Sequence, residues 1–355
     1  MLEMETGFLK SQELKDQMMS ENLKVAVLGL GNVGQNFIRI LSDSTVHIRD
    51  SCGSDIEIAF VADSTGIVKV DPGRTYANIL LAKRAQNIQS LGEPATIEQV
   101  LDSGIDAIID VSSASKDGNR ELEIFRAAID RGINIVTANK SPLALHWTDI
   151  VPYARDRNVR VLFEATVAGG VPLFNFAKYS CGPSRIIKFR GIVSLTANFV
   201  LKMMHSGTSF EEAVKKAQEM GVAETDYTDD TSGLDGARKT VILANALFDR
   251  GYSLKDIKYS GIPEVDLSAL ASEGDRLRLF TSITSEEETL EISTGFGLLD
   301  QGDFLLSLGE SALGYEIESD NNGVLRVSSA HDGPRETAAA VVNDVMILAR
   351  ERKVH

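Results

Sequence analysis

The order of apolar segments predicts an α/β protein with a doubly wound parallel sheet and a second, α+β domain. Three observations support this fold class. Over the first 165 residues, short runs of strand-forming residues alternate with segments of helical periodicity, which is typical of a parallel sheet with helices on both faces. A glycine-rich turn follows the first strand at once. After about residue 165 the pattern changes to short strands and separate helices.

Five apolar runs are predicted as the parallel strands: 24–28, 56–62, 105–111, 133–137 and 159–164. Segments of helical character lie between them and are predicted as helices: 36–41, 74–92, 118–131 and 149–158. Residues 43–54 are polar, and we predict a loop there. This alternation of strands and helices implies parallel strands joined by helical crossovers.

The second half of the chain shows a different pattern. Residues 186–201 are rich in strand formers, and helices are predicted at 209–220 and 233–250. Short strands dominate residues 288–328, with a hairpin-type turn at 320–323. The last segment, residues 335–352, has apolar residues at helical spacing, and we expect this helix to return and pack on the first domain.

Composition limits the possible functions. The formal net charge of −15 argues against binding of nucleic acid or anionic membranes, which requires a basic surface. Cys52 and Cys181 stand in unrelated contexts, so neither a zinc site nor a disulfide framework is predicted, and a reducing cytoplasm fits. No apolar run approaches the roughly 18 residues that span a bilayer. We therefore expect a cytoplasmic protein.

A glycine-rich turn joins the first strand to the first helix: Gly29, Leu30, Gly31, Asn32, Val33, Gly34. In this setting the first glycine permits the tight turn, the second lets the backbone approach a pyrophosphate, and the third lets helix and strand pack closely. The helix N-terminus adds N–H groups and partial positive charge. The motif predicts a Rossmann-type dinucleotide-binding domain. The alternative is a structural turn in a nucleotide-free domain.

Asp63 ends the second predicted strand, where an acidic residue usually holds the ribose hydroxyls. Taken alone, it favours NAD over NADP. However, several nearby residues are candidates for holding the 2′-phosphate of NADP: Ser64, Thr65, Arg39, Arg49 and Lys69. The choice between NAD and NADP therefore stays open at this stage.

Two further groups of charged residues are candidates for chemistry. Asp235 and Lys239 are four residues apart on a predicted helix and share one face, although an exposed ion pair worth about 0.3–0.5 kcal/mol is the simpler interpretation. Lys140 follows a strand, and the carboxyl end of a parallel strand faces the ligand crevice. An ordinary loop lysine is the alternative there. None of the five histidines has a telling carboxylate partner, so no catalytic histidine is predicted.

Several motifs stand in the order found in homoserine dehydrogenases, and the chain resembles that family from about residue 24 to 350. They are VLGLGNVG at 27–34, TANKSPLA at 137–144, EATVAGGVP at 164–172, GIVSLTANFVL at 191–201, AETDYTDDTSGLDGARKTVILA at 223–244 and GPRETAAAVVND at 333–344. The segment ending in GLDGARK is the most specific of them. The resemblance implies reversible NAD(P)-dependent reduction of L-aspartate 4-semialdehyde to L-homoserine, in threonine, methionine and isoleucine biosynthesis.

The resemblance also implies roles for individual residues. Lys239 resembles the catalytic lysine, Asp235 its partner, and Lys140 the lysine near nicotinamide and substrate. Substrate-binding positions match Thr196, Glu224, Asp230 and Lys239, and further cofactor contacts match Ser112 and Gly333. Positions whose backbone carbonyls bind a monovalent cation, usually sodium, match Glu164, Val167, Gly169 and Val171. These roles suit the chemistry of the side chains, because an ammonium can stabilise a developing alkoxide and carboxylates can pair with a substrate ammonium.

The pattern along the chain also predicts the domain organisation. We expect an N-terminal extension (1–22), a dinucleotide-binding domain (23–165), a substrate-binding and dimerisation domain (166–328) and a C-terminal segment returning to the first domain (329–355). The family usually forms homodimers through the sheet of the second domain. Many members append a regulatory domain for which this chain has no room, so we expect no threonine feedback of that kind.

The sequence departs from the family pattern at two places. Leu195 stands where the family commonly has glycine, and Ala330-His331-Asp332-Gly333 replaces a glycine-rich turn. These departures keep two alternatives open: a dehydrogenase of another small amino or hydroxy acid, and a nucleotide-sensing regulator without turnover. A thioester-forming semialdehyde dehydrogenase needs a nucleophilic cysteine, and neither cysteine has a suitable setting.

Overall fold

The computed structural model describes residues 22–113, 115–220, 223, 227–265, 267–286, 289–309 and 312–352. Two β-sheets organise this part of the chain, one of seven strands (sheet A) and one of six (sheet B). Of the sequence predictions, the N-terminal extension up to residue 21 and the substrate-binding role of Glu224 lie outside the described residues.

Sheet A is formed by the first half of the chain. Its strands are β1 (Leu23–Leu28), β2 (Ile56–Asp63), β3 (Gly66–Val70), β4 (Gly92–Ala95), β5 (Ala107–Asp110), β6 (Asn134–Thr137) and β7 (Val161–Leu162). The order is β4-β3-β2-β1-β5-β6-β7. The five strands from β2 to β7 in this order are parallel, whereas β3 and β4 form an antiparallel edge. Since the strand order reverses between β1 and β5, a ligand crevice is expected at their carboxyl ends.

Six helices accompany sheet A: α1 (Asn32–Asp43), α2 (Thr45–Cys52), α3 (Tyr76–Arg84), α4 (Ile97–Leu101), α5 (Asn119–Asp130) and α6 (Lys140–Arg155). Alternate residues of β1 enter different hydrophobic clusters. Ala26 and Leu28 belong to one cluster, and Val25 and Val27 to the other. The sheet is therefore buried on both faces, as expected of doubly wound parallel sheets.

Four local predictions for this half were wrong. The helix predicted at 74–92 ends at Arg84, and a 3-10 turn at Ile88–Leu91 and strand β4 follow it. The predicted loop at 43–54 contains helix α2, whose residues Ile48 and Cys52 lie one turn apart and are both buried. The helix predicted at 149–158 begins earlier, at Lys140, with a kink at His146. The last predicted strand is shortened to β7, because residues 164–166 form a 3-10 turn. Burial and tertiary contact, rather than local composition, decide these boundaries.

Sheet B is formed by the second half. Its strands are β8 (Ile186–Ile192), β9 (Lys258–Tyr259), β10 (Leu277–Glu286), β11 (Thr289–Leu298), β12 (Gly314–Ser319) and β13 (Gly323–Ser328). They lie in the order β13-β12-β8-β10-β11-β9 and are antiparallel except for the β11–β9 pair. The hairpin turn predicted at 320–323 joins β12 to β13.

The helices of the second half are α7 (Phe174–Ser180), α8 (Leu195–His205), α9 (Phe210–Glu219), α10 (Thr228–Thr231), α11 (Leu234–Phe248) and α12 (Leu267–Glu273). The strand character predicted through residue 201 ends at Ile192. Ala197, Val200 and Leu201 are buried at helical spacing, so this part folds as α8. Helix α11 packs on the inner face of sheet B, where Val241 shares a cluster with Ile283.

The last helix, α13 (Pro334–Glu351), packs against α1, as predicted. Its buried residues Val341, Val345 and Leu348 join the cluster that contains Phe37 and Leu41. No described helix has both the length and the apolar character needed to cross a bilayer.

A buried polar network fastens α13 to the segment that follows β7. Asp344 accepts hydrogen bonds from the backbone N–H of Glu164 at 2.9 Å and from Nδ2 of Asn175 at 2.9 Å. The Glu164 carboxylate in turn accepts from the backbone N–H groups of Phe174 and Asn175, at 3.0 and 2.7 Å, at the start of α7. Burial raises the pKa of Asp344 to about 7 and also raises that of Glu164.

We expect Leu348→Ala to lower the free energy of unfolding by about 2–5 kcal/mol, because it removes buried methyl groups from the hydrophobic cluster that joins α13 to α1. Leu81→Ala is the control, since this leucine is 59% exposed and should change stability by less than about 0.5 kcal/mol. Guanidinium unfolding followed by circular dichroism measures both. Equal midpoints for the two variants would show that the α1–α13 contact contributes little.

Candidate active site

The glycine turn has the geometry of a phosphate-binding loop. Gly29 has φ of +109°, and a Cβ there would lie 2.6 Å from the backbone nitrogen of Ser112. A Cβ on Gly34 would overlap the carbonyl oxygen of Gly29, whereas one on Gly31 would meet no atom within 4 Å. The first and third glycines are therefore required by packing. The second borders open space, as a loop that admits a pyrophosphate requires.

Gly31 is also the N-cap of α1, and no side-chain hydrogen bond caps this helix end. Its first N–H groups thus face a region where an anion would be stabilised. The neighbouring residues that were predicted to contact the cofactor differ in the exposure of their side chains. Leu30 has a buried side chain, Val33 is half-buried and Asn32 is exposed, so Leu30 has only its backbone to offer a nucleotide.

Ser112 follows β5 at the opposite wall of this crevice. Its hydroxyl donates to Oδ1 of the buried Asp110 at 2.6 Å. Burial raises the pKa of Asp110 to about 6 even though Ser112 donates to it. The Ser112 hydroxyl is therefore held in one orientation next to the glycine turn.

Asp63 lies at the carboxyl end of β2, as predicted, but it has partners that the sequence did not indicate. Its Oδ2 pairs with Nζ of Lys83 at 2.6 Å, and its Oδ1 accepts from the backbone N–H and the hydroxyl of Thr65 at 2.8 and 2.7 Å. Although burial opposes ionisation, the hydrogen bonds from Lys83 and Thr65 hold the pKa of Asp63 below its usual range.

A cleft of about 600 Å³ brings together predicted residues from distant parts of the chain. The predicted residues that line it are Lys140, Val167, Gly169, Thr196, Asp230, Asp235, Lys239 and Gly333. Apolar wall residues that were not predicted are Phe199, Met220 and Leu313, and Leu195, His331 and Asp332 lie there as well.

The centre of the cleft is a buried carboxylate shared by two lysines. Asp235, with 4% of its side chain exposed, forms ion pairs with Lys140 through Oδ1 and with Lys239 through Oδ2, the latter at 3.0 Å. Burial alone would raise the pKa of Asp235, but the two ammonium groups hold it well below its usual range. The pair of Asp235 and Lys239 is thus buried rather than the exposed helix pair of the simpler interpretation.

Lys239 is oriented by a second contact, because its Nζ donates to the carbonyl oxygen of Val193 at 2.5 Å. Its side chain is 15% exposed, compared with 32% for Lys140. An ammonium has three N–H donors. Two of those of Lys239 are used by Asp235 and Val193, which leaves one for a molecule in the cleft.

The acidic end of the cleft is held by an arginine that the sequence analysis did not single out. Arg238 pairs with Asp229 of α10 and donates to the carbonyl oxygen of Lys116 at 3.4 Å. The arginine side chain is only 10% exposed. Because Asp230 follows Asp229 directly, Arg238 fixes the short helix that presents Asp230 to the cleft. Arg238 could have been singled out from the sequence, because it lies in the specific segment GLDGARK.

Asp332, which departs from the family pattern, has a hydrogen-bond partner in the segment 164–171. Its Oδ1 accepts from the backbone N–H of Gly170 at 2.9 Å, and a Cβ on Gly169 would overlap its carboxylate. Burial raises the pKa of Asp332. The carboxylate therefore ties the turn before Gly333, which is the N-cap of α13, to the segment 164–171.

The four predicted cation-binding positions, Glu164, Val167, Gly169 and Val171, all lie in that segment. Val167 and Gly169 line the cleft, whereas the Glu164 side chain caps α7. Among the described residues, no cluster of three or more His, Cys, Asp or Glu side chains is arranged to hold a metal ion. Any cation here would depend on backbone carbonyls.

The glycine turn yields a prediction that separates binding from packing. Gly31→Ala should fold normally and lose at least about tenfold in affinity for NAD⁺ and NADP⁺, because its Cβ would occupy the space of the pyrophosphate. Gly34→Ala should instead lower the melting temperature, since its Cβ overlaps backbone. Thermal unfolding and calorimetric titration measure the two effects. Unchanged nucleotide affinity in Gly31→Ala would contradict the assignment of this turn.

Comparison with known proteins agrees with this geometry. The family model described as "Homoserine dehydrogenase" matches residues 172–346, and "Homoserine dehydrogenase, NAD binding domain" matches residues 29–164. A homoserine dehydrogenase of Sulfurisphaera tokodaii is 32% identical over 93% of this chain and 99% of its own length. An NAD(+)-dependent homoserine dehydrogenase of Pseudomonas canavaninivorans is 29% identical over 91% of this chain and 95% of its own length.

Solved structures give the same result. The crystal structure of homoserine dehydrogenase from Thermoplasma acidophilum has a TM-score of 0.83 and 38% sequence identity. The superposition covers 93% of this chain and 100% of that one. Both halves of the molecule, the one built on sheet A and the one built on sheet B, are thus matched together. The chain belongs to the homoserine dehydrogenase family.

Proposed function

We propose that this chain reversibly reduces L-aspartate 4-semialdehyde to L-homoserine with NADH or NADPH, and that Lys239 is its catalytic acid and base. One observation carries the assignment of the site. Lys140, from the nucleotide-binding half, and Lys239, from the second half, share the buried carboxylate of Asp235 within one cleft. A buried charge cluster in a cleft of this size is typical of a catalytic centre.

The proposed chemistry follows from the donors of Lys239. The bound nicotinamide supplies the hydride for the reduction. The remaining N–H of Lys239 donates to the aldehyde oxygen, and this interaction strengthens as negative charge develops there. A proton then moves from Nζ of Lys239 to the alkoxide oxygen. Asp235 keeps Lys239 oriented.

Lys140 has a different role in this proposal. It is the first residue of α6, directly after the N-cap Asn139, and lies at the carboxyl end of β6. Nδ2 of Asn139 is buried and has no hydrogen-bond partner among the described residues. An unpartnered buried amide beside the crevice fits a polar group of the nicotinamide, since such groups are rarely left unpaired. Lys140 would hold cofactor and substrate next to Lys239.

We also assign substrate binding to Asp230 and Thr196, which line the same cleft. The carboxylate of Asp230 is suited to pair with the substrate ammonium, and the hydroxyl of Thr196, which is buried, to donate to a substrate oxygen. A monovalent cation held by the carbonyls of the segment 164–171 would stabilise this wall. That donor set suits sodium, a cation that oxygen ligands bind without a carboxylate cluster.

We further propose a homodimer formed through the outer face of sheet B, opposite α11. This face carries rows of charged side chains of both signs, such as Arg326, Glu316 and Arg190 on neighbouring strands. Ser293, Glu318 and Val324 are exposed there. Mixed charge on a broad sheet is compatible with a two-fold contact, in which each patch meets its own copy.

The dimer proposal predicts that Ser293→Arg produces a monomer, because it places a long charged side chain on the outer face of sheet B, within the proposed interface. Val46→Arg adds the same side chain at an exposed position of α2, where Val46 is 68% exposed, and should leave the dimer intact. Light scattering coupled to size-exclusion chromatography measures the mass against the 38.5 kDa of one chain. Dimeric Ser293→Arg would place the interface elsewhere.

The catalytic proposal is tested by homoserine-dependent reduction of NADP⁺ and NAD⁺ at alkaline pH, followed at 340 nm. The wild type should turn over, and Lys239→Ala should lose at least about 100-fold in kcat, the lower end of the effect of a general acid. Lys215→Ala is the control and should keep full activity, because Lys215 is an exposed residue of α9. Nucleotide binding without turnover in the wild type would favour a regulator or a different substrate.

A further inference from the structure

The adenosine end of the cofactor site holds a charge arrangement that bears on the choice between NAD and NADP. The backbone N–H of Gly29 donates to the carbonyl oxygen of Ala62 at 3.0 Å. This bond places the end of β2, and with it Asp63, directly beside the glycine turn. In folds of this kind, that acidic position contacts the ribose whose 2′ group distinguishes the two cofactors.

Asp63 cannot act here as a free anion. Both of its oxygens accept hydrogen bonds from the protein, and its side chain is only 6% exposed. An acidic residue disfavours NADP because its charge repels the 2′-phosphate and because it binds both ribose hydroxyls. Here the ammonium of Lys83, at 2.6 Å, neutralises that charge. The usual basis for rejecting a 2′-phosphate is therefore weakened.

Lys83 is also placed to bind the phosphate. It lies in the last turn of α3, and its side chain is 25% exposed beside the nearly buried Asp63. Its ammonium has three donors, of which Asp63 accepts one. Ser64, in the turn between β2 and β3, is exposed. A partly exposed ammonium beside an exposed hydroxyl is a suitable pair of donors for a phosphate group.

The other basic candidates have other partners or lie elsewhere. Arg49 pairs with Asp55 at 2.7 Å, before the amino end of β2. Lys69 is paired with Phe60, and Phe60 and Asp63 point to opposite faces because side chains alternate along a strand. Arg39 lies about 10 Å along α1 from the turn and donates to Asn36 at 2.8 Å.

We propose that Lys83 determines the cofactor preference of this chain: its ammonium neutralises Asp63 and binds the 2′-phosphate, so that NADP is accepted at least as well as NAD. The inference rests on the proposed function only in assuming that a nicotinamide dinucleotide binds the glycine turn. It concerns the adenosine end of the cofactor, away from the reacting groups.

Calorimetric titration of the full-length chain with NADP⁺ and with NAD⁺ tests the proposal without relying on turnover. The wild type should bind NADP⁺ at least as tightly as NAD⁺. Lys83→Met should weaken NADP⁺ by about tenfold or more, because a charge-assisted contact is lost and Asp63 regains its repulsion. NAD⁺ should weaken by less than about threefold.

Three further variants sharpen the result. Lys83→Arg keeps the charge and should keep NADP⁺ binding, and it serves also if the Met variant fails to fold. Asp63→Asn in the Lys83→Met background should recover part of the NADP⁺ affinity by removing the repulsion. Lys69→Met removes a nearby charge from the opposite face of β2 and should change neither affinity.

The outcomes separate this inference from the proposed function. Equal weakening of both nucleotides by Lys83→Met would mean that the ion pair is structural only, and a wild type that favours NAD⁺ more than about tenfold would also overturn the inference. Absence of binding for both nucleotides would overturn it together with the proposed function. If Lys83→Met selectively weakens NADP⁺ binding but the wild type does not turn over homoserine, the inference is supported and only the proposed function is rejected.

Discussion

The carboxylate of Asp235 is the group on which the architecture of the site depends. It lies on α11, packed against sheet B, yet one of its two lysine partners begins α6 in the nucleotide-binding half. A buried carboxylate without partners is penalised by several kcal/mol, and two ammonium groups this close repel each other unless a counter-ion lies between them. The three charges are therefore stable only as a set. Folding the two halves together completes that set and forms the cleft at the same time.

The surrounding structure fixes the position of this cluster by other contacts between distant segments. Asp344 on α13 holds the segment that follows β7, and Asp332 holds the same segment from the other side. Helix α13 itself is packed on α1, directly behind the glycine turn. The last helix thus connects the glycine turn, the cleft wall and the second half.

Much of the fold could be predicted from the sequence, because the first strand, the glycine turn and the first helix carry a local signal that the structure confirms. The parallel sheet, helices α9 and α11 and the returning C-terminal helix followed from periodicity in the same way. Helices α2 and α8 could not be predicted, since their sequences are polar or rich in strand formers. Tertiary burial of a few residues, such as Ile48 and Val200, outweighs that local preference.

Several residues of the candidate site could be singled out from the sequence, but their contacts with one another could not all be predicted. Spacing indicated that Asp235 and Lys239 share a helix face, and Lys140 was placed at a strand end. That Lys140 shares the same carboxylate depends on how the halves of the chain pack, which no local pattern encodes. The pairing of Lys83 with Asp63 and the contact of Asp332 with Gly170 are long-range for the same reason. The sequence therefore indicated which residues to consider, whereas their long-range contacts could be seen only in the structure.

A crystal structure of the chain with NADP⁺ and L-homoserine tests the central assignment most directly, because it locates the reacting oxygen. We expect the homoserine hydroxyl to lie within hydrogen-bond distance of Nζ of Lys239, about 2.7–3.2 Å, while Asp235 keeps its contact with both lysines. A hydroxyl bound by Lys140 instead, with Lys239 still occupied by Val193 and Asp235 alone, would contradict the assignment. Lys140 would then be the acid and base, and Lys239 a structural counter-ion.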